Sequence, residues 1–459
     1  MSKHSLQEIS NYIDGTLYGK DKFVNSFSID SRTIENGDVF FCIKGNNYDG
    51  HDFIKDSLKK ASCIISSEDI QDINLKEKSY IKVNDTLEAL QKTSQYVRNK
   101  SLAKFIAITG SNGKTTVKEM VAHILSDYRV TFTNGNLNNH IGVPLTLLSI
   151  NQNEDFVIVE IGSNKPGEIE PLAKIVNPDV AAVTNIGYAH IEGFKTLKNT
   201  AKEKYSIFKH TKKSGFAVIN NDCKYKKNIK RMNKIYFGYD ERIYIKIYKV
   251  IKNIFYKTFF LTIFKSRKNV FNVKYKPINE TLNLNLNGDH NFLNAACAIS
   301  ISISLGLDFE KIKEKIETFE SVSSRLKLFK LGKNIDLIDD CYNANPSSFK
   351  AAISFLSTCD QKKLVLMGDM VELGNDTEVF HAEIGKYAKN MGINKFLSVG
   401  KCSKYASDIF GIDGHHFEDA ESLKSYLNNN IEPSTCILIK GSRSSKLEEY
   451  VEFLKTRRY

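Results

Sequence analysis

Short, mainly apolar runs recur along most of the chain, separated by amphipathic helical stretches. In the middle of the chain, the runs Phe156–Glu160, Val180–Thr184 and Phe216–Ile219 have the length of single strands. Continuous apolar runs of this length are typical of strands that are buried on both faces. Their alternation with helices predicts a doubly wound parallel sheet at the centre of an α/β protein.

The pattern divides the chain into three segments, and we predict domains at 1–103, 104–320 and 321–459. The first is predicted to be a small α/β domain and the third a Rossmann-like domain. Between 236 and 286 short alternating runs predict a local antiparallel patch. The other predicted strands are Asp38–Ile43, Cys63–Ser66, Ile335–Asp339, Leu364–Met367, Phe396–Val399 and Cys436–Ile439, and the predicted helices include Thr86–Arg98, Val117–Leu125 and Asn291–Leu305.

A glycine-containing turn joins an apolar strand to a helix within Phe105–Thr116. Gly110 and Gly113 allow backbone N–H groups to close around phosphate oxygens, because no Cβ stands in the way. Lys114 supplies a positive charge, Thr115 supplies a hydroxyl for Mg²⁺, and the helix adds its positive dipole end. The sequence therefore predicts a nucleoside triphosphate site; a plain turn with a surface lysine is the alternative.

Charge and composition narrow the choice of partners. The 459 residues include 65 Lys and Arg against 53 Asp and Glu, a net charge of +12. This excess suits nucleic acid or anionic substrates, but no nucleic-acid-binding motif accompanies the lysine-rich stretch 224–276, so a solvated lysine face is favoured. The N-terminus lacks a signal-peptide core, and the apolar run Phe259–Phe264 is too short to span a bilayer. We therefore expect a cytoplasmic protein without a membrane partner.

Two polar residues follow buried strands near the predicted phosphate turn. Glu160 ends a strand, where a phosphate-loop enzyme holds its Mg²⁺, although a strand-end glutamate is often only a surface residue. His190 follows another strand end, where a metal-binding or a packing role is open. Lys204, in a helical run, cannot be selected from its chemistry alone.

The junction with the third segment carries further candidates. Arg325 could reach a γ-phosphate only when the domains close, and a solvated arginine is the alternative. Asp339 and Asp340 end a strand before an asparagine-rich turn. One of these carboxylates could bind a ribose hydroxyl, or they could cap the next helix.

Taken in order, these motifs resemble the Mur ligase family, over nearly the whole chain. The most particular matches are the phosphate turn and the asparagine-rich block Thr133–Leu148. Within the family they are most similar to the branch that joins D-alanyl-D-alanine to UDP-N-acetylmuramoyl-tripeptide. The remaining matching blocks are Asp30–Arg32, Gly37–Phe40, Lys44–His51, Glu160–Ile169, Ala189–Phe194, Gly288–Asn294, Asp339–Pro346, Gly368–Gly374 and Lys440–Arg443.

The resemblance implies ATP-driven peptide-bond formation in peptidoglycan precursor synthesis, through an acyl phosphate on the tripeptide. It implies two Mg²⁺ ions, of which Thr115 and Glu160 would hold one. His190 and a carbamylated Lys204 would hold the other. It also implies no nucleic-acid partner, and we expect a monomer.

The resemblance further assigns residues to each ligand. Lys114, Glu160, His190, Lys204 and Arg325 would act in catalysis. ATP would contact Gly110, Ser111, Asn112, Gly113, Lys114, Thr115, Thr116, Asn291, Asn294, Arg325 and Asp340. The nucleotide-sugar path would be lined by Ser31, Arg32, His51, Asn136, Asn138 and Asn139.

Three alternatives remain open from the sequence. One is another amide ligase, such as the diaminopimelate- or lysine-adding Mur ligase or folylpolyglutamate synthase, although the Asp-Asn-Pro-Arg motif of the Mur enzyme is absent. Another is a nucleic-acid-binding ATPase, suggested by the positive charge. A catalytically inactive interaction protein is disfavoured, because every candidate ligand is present.

Overall fold

The structure is a computed structural model, which describes residues 3–71, 73–151, 153–225, 232–239, 258–267, 270–275, 278–320 and 324–457. Much of the lysine-rich stretch predicted as a solvated face lies outside these ranges. None of the helices within them is both long and apolar enough to cross a membrane. The described residues form three units, each built around its own principal sheet.

The N-terminal unit is a small α/β fold, as predicted. Its larger sheet has the strand order β2-β7-β6-β5-β4, and β1 pairs with β3 separately. The buried Arg98, near the end of α3, joins this unit to the central one by donating to the carbonyls of Val176 and Asn177 (both 2.7 Å). The elements are β1 (His4–Ser5), α1 (Leu6–Tyr12), β2 (Thr16–Tyr18), β3 (Phe23–Val24), β4 (Phe27–Ser28), β5 (Val39–Phe41), α2 (Ile54–Ser57), β6 (Cys63–Ser66), β7 (Ser79–Lys82) and α3 (Thr86–Lys100).

The central unit contains the predicted parallel sheet, with the order β16-β15-β14-β13-β12-β11-β8-β10-β9. Its elements are β8 (Lys104–Thr109), α4 (Lys114–Ile124), β9 (Val130–Phe132), α5 (Gly142–Leu148), β10 (Phe156–Glu160), α6 (Ile169–Val176), β11 (Val180–Val183), α7 (Ile191–Phe194), α8 (Leu197–Lys204), β12 (Phe216–Asn220), β13 (Asn233–Gly238), β14 (Thr258–Arg267), β15 (Val270–Tyr275), β16 (Ile278–Asn283), α9 (His290–Ser304) and α10 (Phe309–Thr318).

Both faces of this sheet are buried, which explains its continuous apolar runs. On β8, Phe105 and Ala107 belong to one hydrophobic cluster, whereas Ile106 and Ile108 belong to another. The parallel register pairs Glu160 with Ile108 and Val183 with Thr109. The carboxyl ends of β8, β10 and β11 therefore meet at one edge, where ligands bind in doubly wound sheets.

The predicted antiparallel patch is not a separate feature. Strands β14, β15 and β16 are antiparallel to one another, but β14 pairs in parallel with β13 and so extends the central sheet. Elsewhere the predicted boundaries shift by a few residues: α4 begins at Lys114 rather than Val117.

The C-terminal unit is a six-stranded sheet with the order β17-β18-β22-β19-β20-β21, in which only β17 runs antiparallel. The carboxyl ends of its parallel strands carry the loops that approach the central unit. Its elements are β17 (Lys327–Lys330), β18 (Asp336–Asp340), α11 (Pro346–Ser357), β19 (Lys362–Gly368), α12 (Thr377–Asn390), β20 (Lys395–Val399), α13 (Lys404–Phe410), β21 (Gly414–Phe417), α14 (Ala420–Asn430), β22 (Thr435–Lys440) and α15 (Glu448–Thr456).

Candidate active site

The predicted phosphate turn lies at the carboxyl end of β8 and needs both of its glycines. Gly110 has φ +152°, and a Cβ there would lie 1.9 Å from Oγ1 of Thr184. Gly113 has φ +78° and immediately precedes α4, and a Cβ there would lie 2.2 Å from Oδ1 of Asn294. Left-handed backbone and this close packing leave room for glycine alone. The turn therefore has the compact form that a phosphate cradle requires.

Three charged or hydroxyl groups converge at the start of α4. Lys114 donates from Nζ to the carbonyl of Gly110 (2.9 Å), so its ammonium group folds over the turn. Nη2 of Arg325 donates to Oγ1 of Thr115 (3.1 Å), although Arg325 belongs to the C-terminal unit. Burial, aided by the charge of Arg325 and opposed by that of Glu160, lowers the pKa of Lys114. The turn thus gathers two cationic groups suited to a polyphosphate.

Glu160 is buried at the end of β10, with 2% of its surface exposed. Nδ2 of Asn138 donates to its Oε1 (2.8 Å), and its backbone N–H donates to Oγ1 of Thr133 (2.9 Å). Its other carboxylate oxygen, Oε2, has no hydrogen-bond partner among the described residues. A buried carboxylate oxygen without a donor is costly unless something positive binds it.

Lys204 is 1% exposed at the end of α8, next to the loop that follows β10. Its Nζ donates to Oγ of Ser163 (2.8 Å) and lies 5.5 Å from the ring centroid of Phe194. Burial, with a contribution from the charge of Lys114, lowers the pKa of Lys204 to about 7. Near neutral pH a large share of this amine is therefore uncharged, which is the form that reacts with CO₂.

His190 adopts a left-handed backbone (φ +53°) immediately before α7. Its Nδ1 lies against the carboxylate of Glu372, from the C-terminal unit, but has no hydrogen bond of ordinary geometry among the described residues. The contact with His190 lowers the pKa of Glu372. The turn that His190 begins also packs closely on the loop after β10, because a Cβ on Gly193 would lie 2.0 Å from the carbonyl oxygen of Asn164.

The phosphate turn also touches the C-terminal unit through Asn112. Its Nδ2 donates to Oγ of Ser347 (2.9 Å), and its Oδ1 accepts from Nδ2 of Asn345 (2.7 Å), which caps α11. Asp340 lies at the end of β18 and pairs with the buried Lys440 (Oδ2 to Nζ, 2.6 Å). The side chains predicted to bind ATP therefore come from both units.

The asparagines predicted to bind ATP or the nucleotide sugar have local partners. Nδ2 of Asn294 donates to Oδ1 of Asn291 (2.8 Å), and both side chains are buried behind the phosphate turn. Oδ1 of Asn139 accepts from the N–H groups of Ile141 and Gly142, at the start of α5. Asn136 is exposed in the same loop.

The remaining predicted substrate residues lie in the N-terminal unit. Ser31 and Arg32 are in the loop between β4 and β5, where Arg32 is exposed and pairs with Asp30 (2.7 Å). His51 is enclosed: its Nδ1 lies 2.6 Å from the carboxylate of Asp49, and its Nε2 accepts from the backbone N–H of Ser67. Both ring nitrogens are engaged locally, which gives His51 at least a structural role.

Several side chains that complete the site have no distinguishing pattern in the sequence. Glu372 and Lys440 stood in blocks noted for resemblance, but no local pattern pairs them with His190 or Asp340. Ser163 stood within such a block as well. Position is the one signal that these three side chains share, since Lys440 ends a parallel strand, and Ser163 and Glu372 lie in loops that follow the carboxyl ends of parallel strands.

The side chains fit one divalent cation better than two. Among the described residues there is no group of three or more His, Cys, Asp or Glu side chains that could hold a metal. The hydroxyl of Thr115 and the unpartnered oxygen of Glu160 are the oxygen ligands that Mg²⁺ prefers. His190 and an unmodified Lys204 offer only nitrogen, so a second Mg²⁺ requires an added anion, which a carbamate on Lys204 would supply.

Burial of Lys204 predicts a pH-dependent stability difference. In the unfolded chain this amine keeps a proton up to about pH 10, whereas the folded pKa is about 7. Between these values the unfolded state binds more protons, so rising pH stabilises the wild type. In CO₂-free buffer, the stability of the wild type relative to Lys204→Met should rise by up to about 1.4 kcal/mol per pH unit above pH 7. Urea unfolding at pH 7 and pH 9 measures the free energy of unfolding of both proteins. The same difference between them at the two pH values would contradict the prediction.

The chain is similar to known proteins over nearly its whole length. The family models for the Mur ligase family catalytic domain, the Mur ligase middle domain and the Mur ligase glutamate ligase domain match residues 24–111, 108–302 and 324–443. A relative from Buchnera aphidicola subsp. Acyrthosiphon pisum, named UDP-N-acetylmuramoyl-tripeptide–D-alanyl-D-alanine ligase, is 37% identical; the match covers 98% of this chain and 97% of that protein. A relative of the same name from Escherichia coli is 35% identical, with 98% of each chain covered. The crystal structure of MurF from Acinetobacter baumannii is similar over 100% of both chains, with a TM-score of 0.89 and 28% identity.

Proposed function

This chain belongs to the Mur ligase family, and we propose that it is the ATP-dependent ligase that joins D-alanyl-D-alanine to UDP-N-acetylmuramoyl-tripeptide. The observation that carries the proposal is the contact of Arg325 with Thr115, which brings a cation from the C-terminal unit onto the phosphate turn. The names of relatives that match from end to end support the two substrates. The reaction would lengthen a peptidoglycan precursor by two residues.

The proposed reaction has two steps. The terminal carboxylate of the tripeptide attacks the γ-phosphorus of ATP, the bond to the β-phosphate oxygen breaks, and ADP leaves. The amine of D-alanyl-D-alanine then attacks the acyl carbon, the carbon–oxygen bond to phosphate breaks, and the amine loses a proton to solvent. Lys114 and Arg325 act by positioning the phosphates and balancing their charge, which is the main demand of phosphoryl transfer. Bound Mg²⁺ would neutralise further charge on the phosphate oxygens.

We assign Mg²⁺ to Thr115 and Glu160, and a second ion to His190 and a carbamylated Lys204. The unpartnered Oε2 of Glu160 supports the first assignment, and the buried amine of Lys204 supports the second. ATP is proposed to lie along the phosphate turn, with its adenosine toward Asn291, Asn294 and Asp340, the residues predicted for it.

The other predictions remain part of the same proposal. We propose domains at 1–103, 104–320 and 321–459, with the nucleotide sugar bound through Ser31, Arg32, His51 and the loop of Asn136, Asn138 and Asn139. A cytoplasmic monomer suits an enzyme that uses ATP and a nucleotide-linked precursor.

A substrate panel tests this function. The purified protein should release ADP and phosphate only when UDP-N-acetylmuramoyl-tripeptide and D-alanyl-D-alanine are both present, and mass spectrometry should detect a product extended by the dipeptide. Addition of diaminopimelate or lysine to UDP-N-acetylmuramoyl-dipeptide would instead favour the diaminopimelate- or lysine-adding Mur ligase. ATP hydrolysis stimulated by DNA or RNA alone would reject the proposal.

A further inference from the structure

The arginine that the C-terminal unit places on the phosphate turn also contacts an aromatic ring of its own unit. Cζ of Arg325 lies 4.2 Å from the ring centroid of Tyr342, while Nη2 of Arg325 donates to Oγ1 of Thr115 (3.1 Å). A guanidinium group stacks favourably on the face of such a ring. Arg325 therefore lies between Tyr342 and the phosphate turn.

The ring can orient the guanidinium group without cancelling its charge. Within the part of the chain that the structure describes, the Arg325 side chain donates one hydrogen bond, to Thr115, and has no ion pair. A carboxylate partner would compete with phosphate oxygens for the N–H donors, whereas a stacked ring occupies only the face of the guanidinium group. The other N–H groups of Arg325 thus remain available to a phosphate.

The backbone on both sides of Arg325 is fixed to the end of β18. The N–H of Tyr342 donates to the carbonyl of Ser324 (3.3 Å), and the N–H of Leu326 donates to Oδ1 of Asp340 (3.3 Å). Ser324 and Leu326 have left-handed backbones, with φ +56° and φ +51°. Such conformations cost free energy in residues with a side chain and persist where neighbouring groups hold them. The arginine and the ring are therefore presented together.

We propose that Tyr342 is a positioning residue for phosphoryl transfer, whose ring holds the guanidinium group of Arg325 over the phosphate turn. Phosphoryl transfer depends on charge that is already in position when the reaction occurs. An arginine side chain has many rotamers, and the ring face restricts them. The inference rests on the proposed function, in which Arg325 balances charge on the phosphates.

Steady-state kinetics of the full-length protein test the role of the ring. Tyr342→Leu should lower kcat for product formation about tenfold, the scale of a partly desolvated cation–π contact, and should change the KM for ATP less than about threefold. Tyr342→Met, which also lacks a ring, is the second replacement and should show the same loss. Tyr342→Phe should stay within about threefold of the wild type, because the ring remains. Urea unfolding identifies the variants that are folded.

A matched control removes a ring elsewhere in the same unit. Tyr387 is half-buried on α12, and its ring centroid lies 5.9 Å from Nζ of Lys350. Tyr387→Leu makes the same replacement at another cation–π pair, away from the phosphate turn. Its kcat should remain within about twofold of the wild type.

The Arg325→Ala background separates positioning from packing. In this background, Tyr342→Leu should change kcat less than about twofold, because the proposed effect passes through the guanidinium group. A further tenfold loss would show a role independent of Arg325 and would overturn the inference. Wild-type kcat in folded Tyr342→Leu, or an equal loss in Tyr342→Phe, would overturn it as well.

Product formation by the wild type distinguishes this inference from the proposed function. Absence of the extended product would overturn the proposed function, on which the inference rests. Equal rates of product formation by the wild type and by folded Tyr342→Leu would overturn only the role of Tyr342.

Discussion

Replacing Lys114 with methionine is expected to lower product formation by about a thousandfold or more. Lys114 is the cation of the phosphate turn itself, and phosphoryl transfer depends on balancing charge at the transferred group. Loss of an arginine that performs such a role in other phosphoryl-transfer enzymes costs about 10³ to 10⁵ in turnover. Methionine keeps much of the side-chain volume, so the change removes charge rather than packing. ADP formation with both substrates at saturating concentrations is the measurement.

A matched control makes this result specific. Lys198 is exposed on α8 in the same unit, and Lys198→Met removes the same charge without touching the turn. We expect its turnover to remain within about twofold of the wild type, since exposed charges contribute little. Near-normal turnover in Lys114→Met, in protein that unfolds at the same urea concentration as the wild type, would remove Lys114 from the proposed chemistry.

The parts of this site that follow from local pattern could be predicted from the sequence. The glycine turn, its strand and its helix are adjacent in the chain, so their residue types predict the compact form of the turn directly. Buried parallel strands read as continuous apolar runs, and Cys63–Ser66 and Phe156–Glu160 were predicted to the residue. Membership of the Mur ligase family, predicted from the order of the motifs, is confirmed.

Long-range contacts could not be predicted in this way. Glu372 meets His190 only because two units approach each other, and no periodicity records that approach. The low pKa of Lys204 comes from burial beneath Phe194 and Ser163, whereas its sequence shows one lysine among many. The antiparallel strands after Gly238 are predicted as a local patch, whereas β14 pairs with β13 and extends the central sheet. The sequence of neither strand indicates which strand it pairs with.

Removing CO₂ is expected to inactivate the wild-type protein reversibly, through Lys204. Carbamylation joins the neutral amine to CO₂ and releases one proton, so it needs an uncharged lysine, and a pKa of about 7 supplies one near neutral pH. The carbamate is an anion with two oxygens. It would replace the lysine ammonium group, which repels Mg²⁺, with a group that can bind Mg²⁺. We expect activity to fall about tenfold or more in CO₂-free buffer and to return when bicarbonate is added. Loss of a group that supports a metal site usually lowers metal affinity or activity by at least this factor.

The variants at this position sharpen the same prediction. Lys204→Ala should lose about a hundredfold or more in turnover, and small carboxylates such as formate should restore part of it by supplying the missing anion in the space left by the side chain. Lys204→Arg should respond to neither bicarbonate nor formate, because a guanidinium stays charged and fills that space. Lys202→Ala, an exposed change on the same helix, is the control and should remain active. Carbon-13 NMR of wild-type protein in labelled bicarbonate should show one carbamate carbon that is missing from Lys204→Ala. The carbamate is proposed because the buried nitrogen alone offers Mg²⁺ no oxygen ligand. Full activity with an unmodified amine would show that turnover does not need the carbamate.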